Sequence, residues 1–288
     1  MRLEAGCQIS FEAEALTPAV LMLRPRSGSG QWVTKEEYLL TPSVPVVEYT
    51  DSYGNLCQRL VIAPGSFQVK TTAVVETADT IDVQPGAPYL PVQNLPNDVL
   101  QFLLPSRYCP ADRMADLALE VVGDSAPGYA QAEAIRHWIN SQIKYEYGTS
   151  NASTWALDTA ETRVGVCRDF AHLGIALCRA LNIPARMVVG YLYQLDPMDL
   201  HAWFEAYLGT SLGSDSDSTE GRWYTFDATQ PQPRGNRITI AYGRDAADVA
   251  LATQFGPMQL THMQVWVSEA SGETSGETSG EASLTGAA

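Results

Sequence analysis

Residues 167–181, CRDFAHLGIALCRAL, constrain the fold more than any other stretch of the chain. Cys167, Phe170, Ala171, Gly174, Leu177, Cys178 and Leu181 recur at the spacing of a helix that buries one stripe. Asn182-Ile183-Pro184 ends that helix, and the run MVVGYLY at 187–193 carries so few polar groups that it predicts a strand central in a sheet. HAWFEAYL at 201–208 and RWYTFDAT at 222–229 supply neighbouring strands, separated by the long polar loop GTSLGSDSDSTEG.

The first ninety residues read differently. Short β-forming runs such as ISFEAEA, AVLMLRP and FQVKTTAVVETADT are broken by Gly, Pro, Asn and Asp. In VVEYTDSYGNLCQRLVI, the turn residues Tyr53-Gly54-Asn55 predict a hairpin. Residues 1–90 are therefore expected to form a β-sandwich. The proline-rich segment 84–98 reads as a connection, and residues 91–267 as a second unit that mixes helices and strands. Within it, Ile135, Trp138, Ile139 and Ile143 form the apolar stripe of an earlier helix. The repeats in SEASGETSGETSGEASLTGAA, residues 268–288, carry no apolar anchor and predict a disordered tail.

Composition removes several functions. A net charge of −15 argues against nucleic-acid partners and against docking on anionic membranes. The opening MRLEAGCQISFEAEA has no basic head before an apolar run, and nothing approaches the ~18 apolar residues of a membrane span, so the expected compartment is cytoplasmic. Five widely spaced cysteines predict no disulfide framework, and the absence of a CxxC pair gives a structural zinc no support. RSGSG at 26–30 lacks the lysine of a phosphate loop, and the loop with Asp215, Asp217 and Thr219 lacks the glycine and terminal Glu of a calcium loop. No cofactor and no metal is expected.

The candidate chemistry starts at Cys167. The first turn of a helix presents unpaired N–H groups and the positive end of the dipole, which favour a thiolate. Cys178 is the internal control: it lies on the same face, about 16 Å further along the axis, with no terminus beside it, and reads as core. A nucleophile needs a base. His172 points about 140° away around the helix, His137 reads as solvated, and His262 has no acidic neighbour in sequence, so His201 is the candidate. If Leu208 pairs with Arg222, Asp227 falls opposite Trp203, one diagonal step from His201 and within reach of its imidazole. A one-residue slip would put it on the other face. Trp203 and Glu205 share the face of His201, as cleft lining or as core.

GVCRDFAHLGIALCRALNIPARMVVGYL, then DLHAWFEAYL and WYTFDAT, resembles the bacterial transglutaminase-like superfamily over roughly residues 100–245. LLPSRYC at 103–109 resembles the segment before its catalytic core. The resemblance implies an α+β fold with a papain-like core, the helix of the nucleophile packed on an antiparallel sheet, and an N-terminal β-domain. It implies Cys167 as nucleophile, His201 as base and Asp227 as the residue that orients the base. The expected function is thiol-dependent acyl transfer on a peptide or protein amide, hydrolytic rather than crosslinking. The alternatives are an isopeptide-forming transglutaminase and a non-enzymatic peptide-binding scaffold.

Overall fold

The computed structural model describes residues 1–28, 30–210 and 220–270. The N-terminal part contains β1 (Arg2–Ala13), β2 (Thr17–Leu21), β3 (Gln31–Thr41), β4 (Val46–Thr50), β5 (Leu56–Ile62) and β6 (Gly65–Thr77). β1 pairs with β6 and β6 with β3; β2 pairs with β5 and β5 with β4. β1 shows why this half is a sandwich: Leu3, Ala5, Cys7, Ile9, Phe11 and Ala13 all turn inward at period two. Cys7, Ile9 and Phe11 meet Ala19, Leu21, Leu60 and Ile62 from the other sheet in one core. The predicted hairpin is β4–β5, with Gly54 at φ 80°, where an L side chain is strained.

The chain then forms α1 (Ala115–Val122), α2 (Tyr129–Gln142), β7 (Lys144–Tyr145), α3 (Ala156–Thr162), β8 (Val164–Gly165), α4 (Cys167–Ala180), β9 (Ala185–Leu192), β10 (His201–Gly209), β11 (Gly221–Phe226) and β12 (Arg237–Gly243). The antiparallel sheet runs β11-β10-β9-β12, so MVVGYLY does lie in its interior. α4 packs on β10 and β9 and is covered by α1, α2 and α3. Every residue from Asp169 to Arg179 is buried, so the one-sided stripe is really a helix enclosed on all sides. Its contact with the sheet depends on Gly174. A Cβ there would come within 2.4 Å of the Phe204 ring, which stacks in turn on Phe226. This close approach sets how far the start of α4 stands from the start of β10.

The last strands are β13 (Ala252–Gln254) and β14 (Met258–Glu269). β14 pairs with β1 and β13 with β2, so the two sandwich sheets read β14-β1-β6-β3 and β13-β2-β5-β4. The segment 91–267, expected as one unit, thus gives its final strands to the N-terminal sandwich. Their sequence carries only the period of a strand, and period does not say which sheet a strand joins. Ordered pairing also continues to Glu269, beyond the expected start of the tail at 268; residues 271–288 lie outside the described part. The proline-rich connection is docked rather than free: Pro88 accepts from the Gly209 N–H, and Leu90 and Leu95 pack against Tyr207.

Candidate active site

α4 starts where the two-residue parallel pair β7–β8 delivers the chain. Asp169 sits at the third helical position and its Oδ2 accepts the Val166 N–H at 2.9 Å, closing the first turn. Arg168 holds the other oxygen of that carboxylate at 2.9 Å. Gly165 is needed here because a Cβ would meet the Asp169 side chain at 2.8 Å, so its role is to admit the cap. The remaining polar residues of the helix are clamps. Buried Arg179 donates to the carbonyls of Ala185, Leu104 and Arg244. His172 stacks on Tyr108, and its Nε2 accepts the Ala246 N–H at 3.1 Å. Burial drives the His172 imidazole down to about 3, so it is neutral.

The register that brings His201 to Asp227 is the expected one. Leu208 pairs with Arg222 and Phe204 with Phe226, so Asp227, one step past the ladder, stands level with Trp203. His201 Nε2 lies 2.7 Å from Asp227 Oδ2, and both side chains are buried. With Nε2 occupied, Nδ1 is the nitrogen left to face Cys167, whose half-buried thiol lies near enough to favour the charged imidazole. The structure therefore brings all three expected residues together. It leaves His137 and His262 exposed elsewhere. Asp215, Asp217 and Thr219 lie outside the described residues.

Electrostatics fix the charge states. Burial alone would lower the pKa of His201, but the charge and hydrogen bond of Asp227, followed by Cys167, outweigh it and raise the imidazole above its ordinary ~6.5. Burial would likewise raise Asp227. The charges of His201 and Arg237 and the hydrogen bonds from His201 and Thr229 hold it well below the usual carboxylate range. Asp227 is fully satisfied: Oδ2 takes His201 and, at 2.8 Å, Arg237 Nη2, while Oδ1 takes the Thr229 N–H at 3.0 Å and the Thr229 hydroxyl at 2.7 Å.

Three functional candidates were not found from sequence. Thr229 stands two residues after Asp227, the spacing at which an Asx turn closes on its own backbone, and that signal was available. Arg237 opens the apolar strand RITIAY, a charged residue where a core strand has no need of one. Tyr145 is the third. Its ring packs at 5.8 Å from Phe170 and 5.4 Å from Tyr147, which places the phenol near enough to Cys167 to sense its charge. Burial, and then the Cys167 charge, raise its pKa, so it carries its proton. Only the β7–β8 pairing brings it there, and a two-residue strand leaves no periodic trace.

Comparison with known proteins identifies the family. Residues 115–228 match the family model of the Transglutaminase-like superfamily. The crystal structure of a candidate cysteine protease from Cytophaga hutchinsonii superposes with a TM-score of 0.84 at 36% identity, covering 95% of this chain and 92% of that one. The Mycobacterium leprae protein ML0607 is 28% identical over 245 residues, covering 79% of this chain and 82% of its own. Rv2569c of Mycobacterium tuberculosis is 32% identical over 121 residues, 38% of this chain and 37% of its own. The α+β architecture, the cysteine at the start of a buried helix and these matches together show that the chain belongs to the transglutaminase-like superfamily.

Proposed function

We propose that the protein is a thiol-dependent acyl-transfer enzyme that cleaves a peptide or protein amide. The observation that carries the reading is the buried contact of 2.7 Å between His201 and Asp227, with Cys167 close to the same imidazole at a helix start. The Cys167 sulfur attacks the amide carbonyl, and the electron pair of the carbonyl moves to its oxygen. That oxyanion is met by the Cys167 N–H and the Tyr145 hydroxyl; losing one such donor typically costs about 10²–10³ in rate. The C–N bond then breaks, the imidazolium proton goes to the leaving amine, and a thioester remains on Cys167. His201 next takes a proton from water, whose oxygen attacks the thioester and releases the acid and the thiol. Asp227 holds the proton on Nε2 and the charge in place, as the carboxylate does in other triads.

Hydrolysis rather than amine transfer is the reading retained, since crosslinking needs a shielded route for the amine and no feature among the described residues calls for one. The test uses the intact protein in an extract of peptides and proteins. Wild type should accumulate an acyl adduct on Cys167, visible by mass spectrometry after acid quench, and Cys167→Ala should carry none. Loss of the adduct on adding water-competing amines, with amine-coupled products in its place, would transfer the assignment to the crosslinking class. Equal modification of Cys167 and buried Cys178 would overturn the enzyme reading altogether.

A further inference from the structure

The oxygen of Asp227 that holds the His201 imidazole has a second partner. Oδ2 lies 2.7 Å from His201 Nε2 and accepts Arg237 Nη2 at 2.8 Å, and all three side chains are buried. His201 pairs with Gly190 and Arg237 with Leu192, so both stand on one face of the sheet with β9 between their strands. Arg237 is also fixed in place. Its Nε donates to the Arg234 carbonyl at 2.9 Å, and its guanidinium lies 4.9 Å from the Trp203 ring, which itself stacks 6.0 Å from the His201 ring. Asp227 is its one carboxylate among the described residues.

The charges of this group do not balance around the imidazole. A guanidinium is always charged, so Arg237 alone neutralises Asp227. A proton on His201 then leaves one positive charge in excess, where burial already opposes it. The other charged groups that face the ring are few. Asp199, in the loop before β10, is near enough to feel the His201 charge, but its Oδ1 is occupied by the Leu200 N–H. Glu205, further along β10, is paired with Arg186. Cys167, at the start of α4, is the remaining group whose negative charge favours the imidazolium. A bridge that served only to hold the base would need Asp227 alone, and a cation sharing its oxygen weakens that bridge.

We propose that Arg237 is a positioning residue that takes up the charge of Asp227, so that the Cys167 thiolate balances the imidazolium and the imidazole releases its proton once that sulfur is acylated. This role rests on the reading of Cys167, His201 and Asp227 as an acyl-transfer site. It supplies what the two halves of the reaction demand of one side chain. While the sulfur is anionic, His201 stays protonated and ready to give its proton to the leaving amine. When the sulfur is a neutral thioester, nothing holds a fresh proton on the ring, and His201 is free to take one from the attacking water. With Asp227 unopposed, the imidazole would stay protonated and the thioester would persist.

The experiment follows the His201 ring resonances of the full chain through a pH titration in wild type, Arg237→Met and Arg237→Lys. Met fills much of the same space without the charge, and should raise the His201 midpoint by about one unit. Lys keeps the charge, and its midpoint should stay within about half a unit of wild type. One unit leaves about tenfold less neutral imidazole below the midpoint, so the acyl adduct on Cys167 should decay about tenfold more slowly in Arg237→Met. If the Met variant does not fold, the guanidinium N–H resonance of Arg237 in wild type decides. It should move with the His201 midpoint, because the two share one oxygen. A merely structural Arg237 predicts instead that Asp227 comes loose and the His201 midpoint in Arg237→Met stays put or falls. That result, a Lys variant raised as far as Met, an adduct decaying at the wild-type rate in Arg237→Met, or a guanidinium resonance that stays fixed while His201 titrates would each overturn the proposal. If wild type forms no adduct, the enzymatic reading fails, while the titration still decides whether Arg237 takes up the charge of Asp227.

Discussion

The two ends of α4 carry the same side chain in opposite circumstances. Cys167 is half-buried at the start, beside unpaired N–H groups and an imidazole. Cys178, three turns on, is wholly buried, and burial pushes its thiol up to about 12. Both lie in one continuous helix, so helix propensity cannot distinguish them. What differs is the supply of groups able to stabilise a negative sulfur. Under the proposed function, reactivity follows position along a dipole and access to a base, with residue type held constant.

The largest expected effect comes from removing that base. His201→Ala should slow iodoacetamide alkylation of Cys167 by about 10²-fold at pH 6 and leave Cys178 as inert as before, with turnover falling about 10²–10⁴-fold. Asp227→Asn tests the charge. In wild type the carboxylate is what overcomes burial and holds the imidazolium, so the folded His201 pKa lies above its unfolded value. The stabilisation it brings is complete below about pH 6.5 and is lost as pH rises through the raised folded value. With Asn the charge is gone and burial dominates. The His201 ring resonance should therefore titrate below 6.5, and the alkaline loss of stability seen in wild type should shrink. A His201 titration unmoved by Asp227→Asn would break the comparison, because the imidazole would owe its charge to something else.

The start of α4 was legible in the sequence, and so was the pairing that brings Asp227 to His201, for a common physical reason. Periodicity reports which face a residue occupies, and register follows once two alternating strands flank one loop. Leu208 opposite Arg222 fixes Asp227 opposite Trp203 with no freedom left. Arg237, Tyr145 and the final strands were not legible. Each reaches its place through a partner far away in sequence: Arg237 through a neighbouring strand, Tyr145 through a two-residue ladder, and β14 through pairing with β1. Nothing local marks such contacts. The same holds for Val166, whose side chain cannot cap; only Asp169 reaching back shows that the turn is closed.

A smaller but still measurable effect on Cys167 should follow from Gly174→Ala, which changes nothing near the sulfur. The added methyl meets the edge of the Phe204 ring, which is fully buried and stacked on Phe226, so its neighbours must shift to make room. Overpacking of this kind costs about 1–3 kcal/mol, more than the gain of up to ~1 kcal/mol from alanine's better helix propensity. Chemical denaturation should show the net loss. Since β10 carries His201 at its first residue, pushing sheet from helix also moves the imidazole from the thiol, and alkylation of Cys167 should slow about tenfold. A destabilised protein with undiminished Cys167 reactivity would mean that the helix–sheet spacing does not set the site.

The smallest effect on the reactive sulfur is expected at the other end of the helix. Cys178→Ser is nearly isosteric, yet it replaces a weakly polar thiol with a hydroxyl in a place where Cys178 has solvent on no side. A buried hydroxyl without an acceptor costs about 1–3 kcal/mol, so the unfolding midpoint should fall. The alkylation rate of Cys167 should stay within a factor of two, since about 16 Å of helix separates the two positions and the first turn keeps its own cap through Asp169. This variant matches Gly174→Ala in stability cost and differs from it in geometry alone. If it slowed Cys167 as much, reactivity would be tracking the overall stability of the helix, and the distinction between its two ends would lose its meaning.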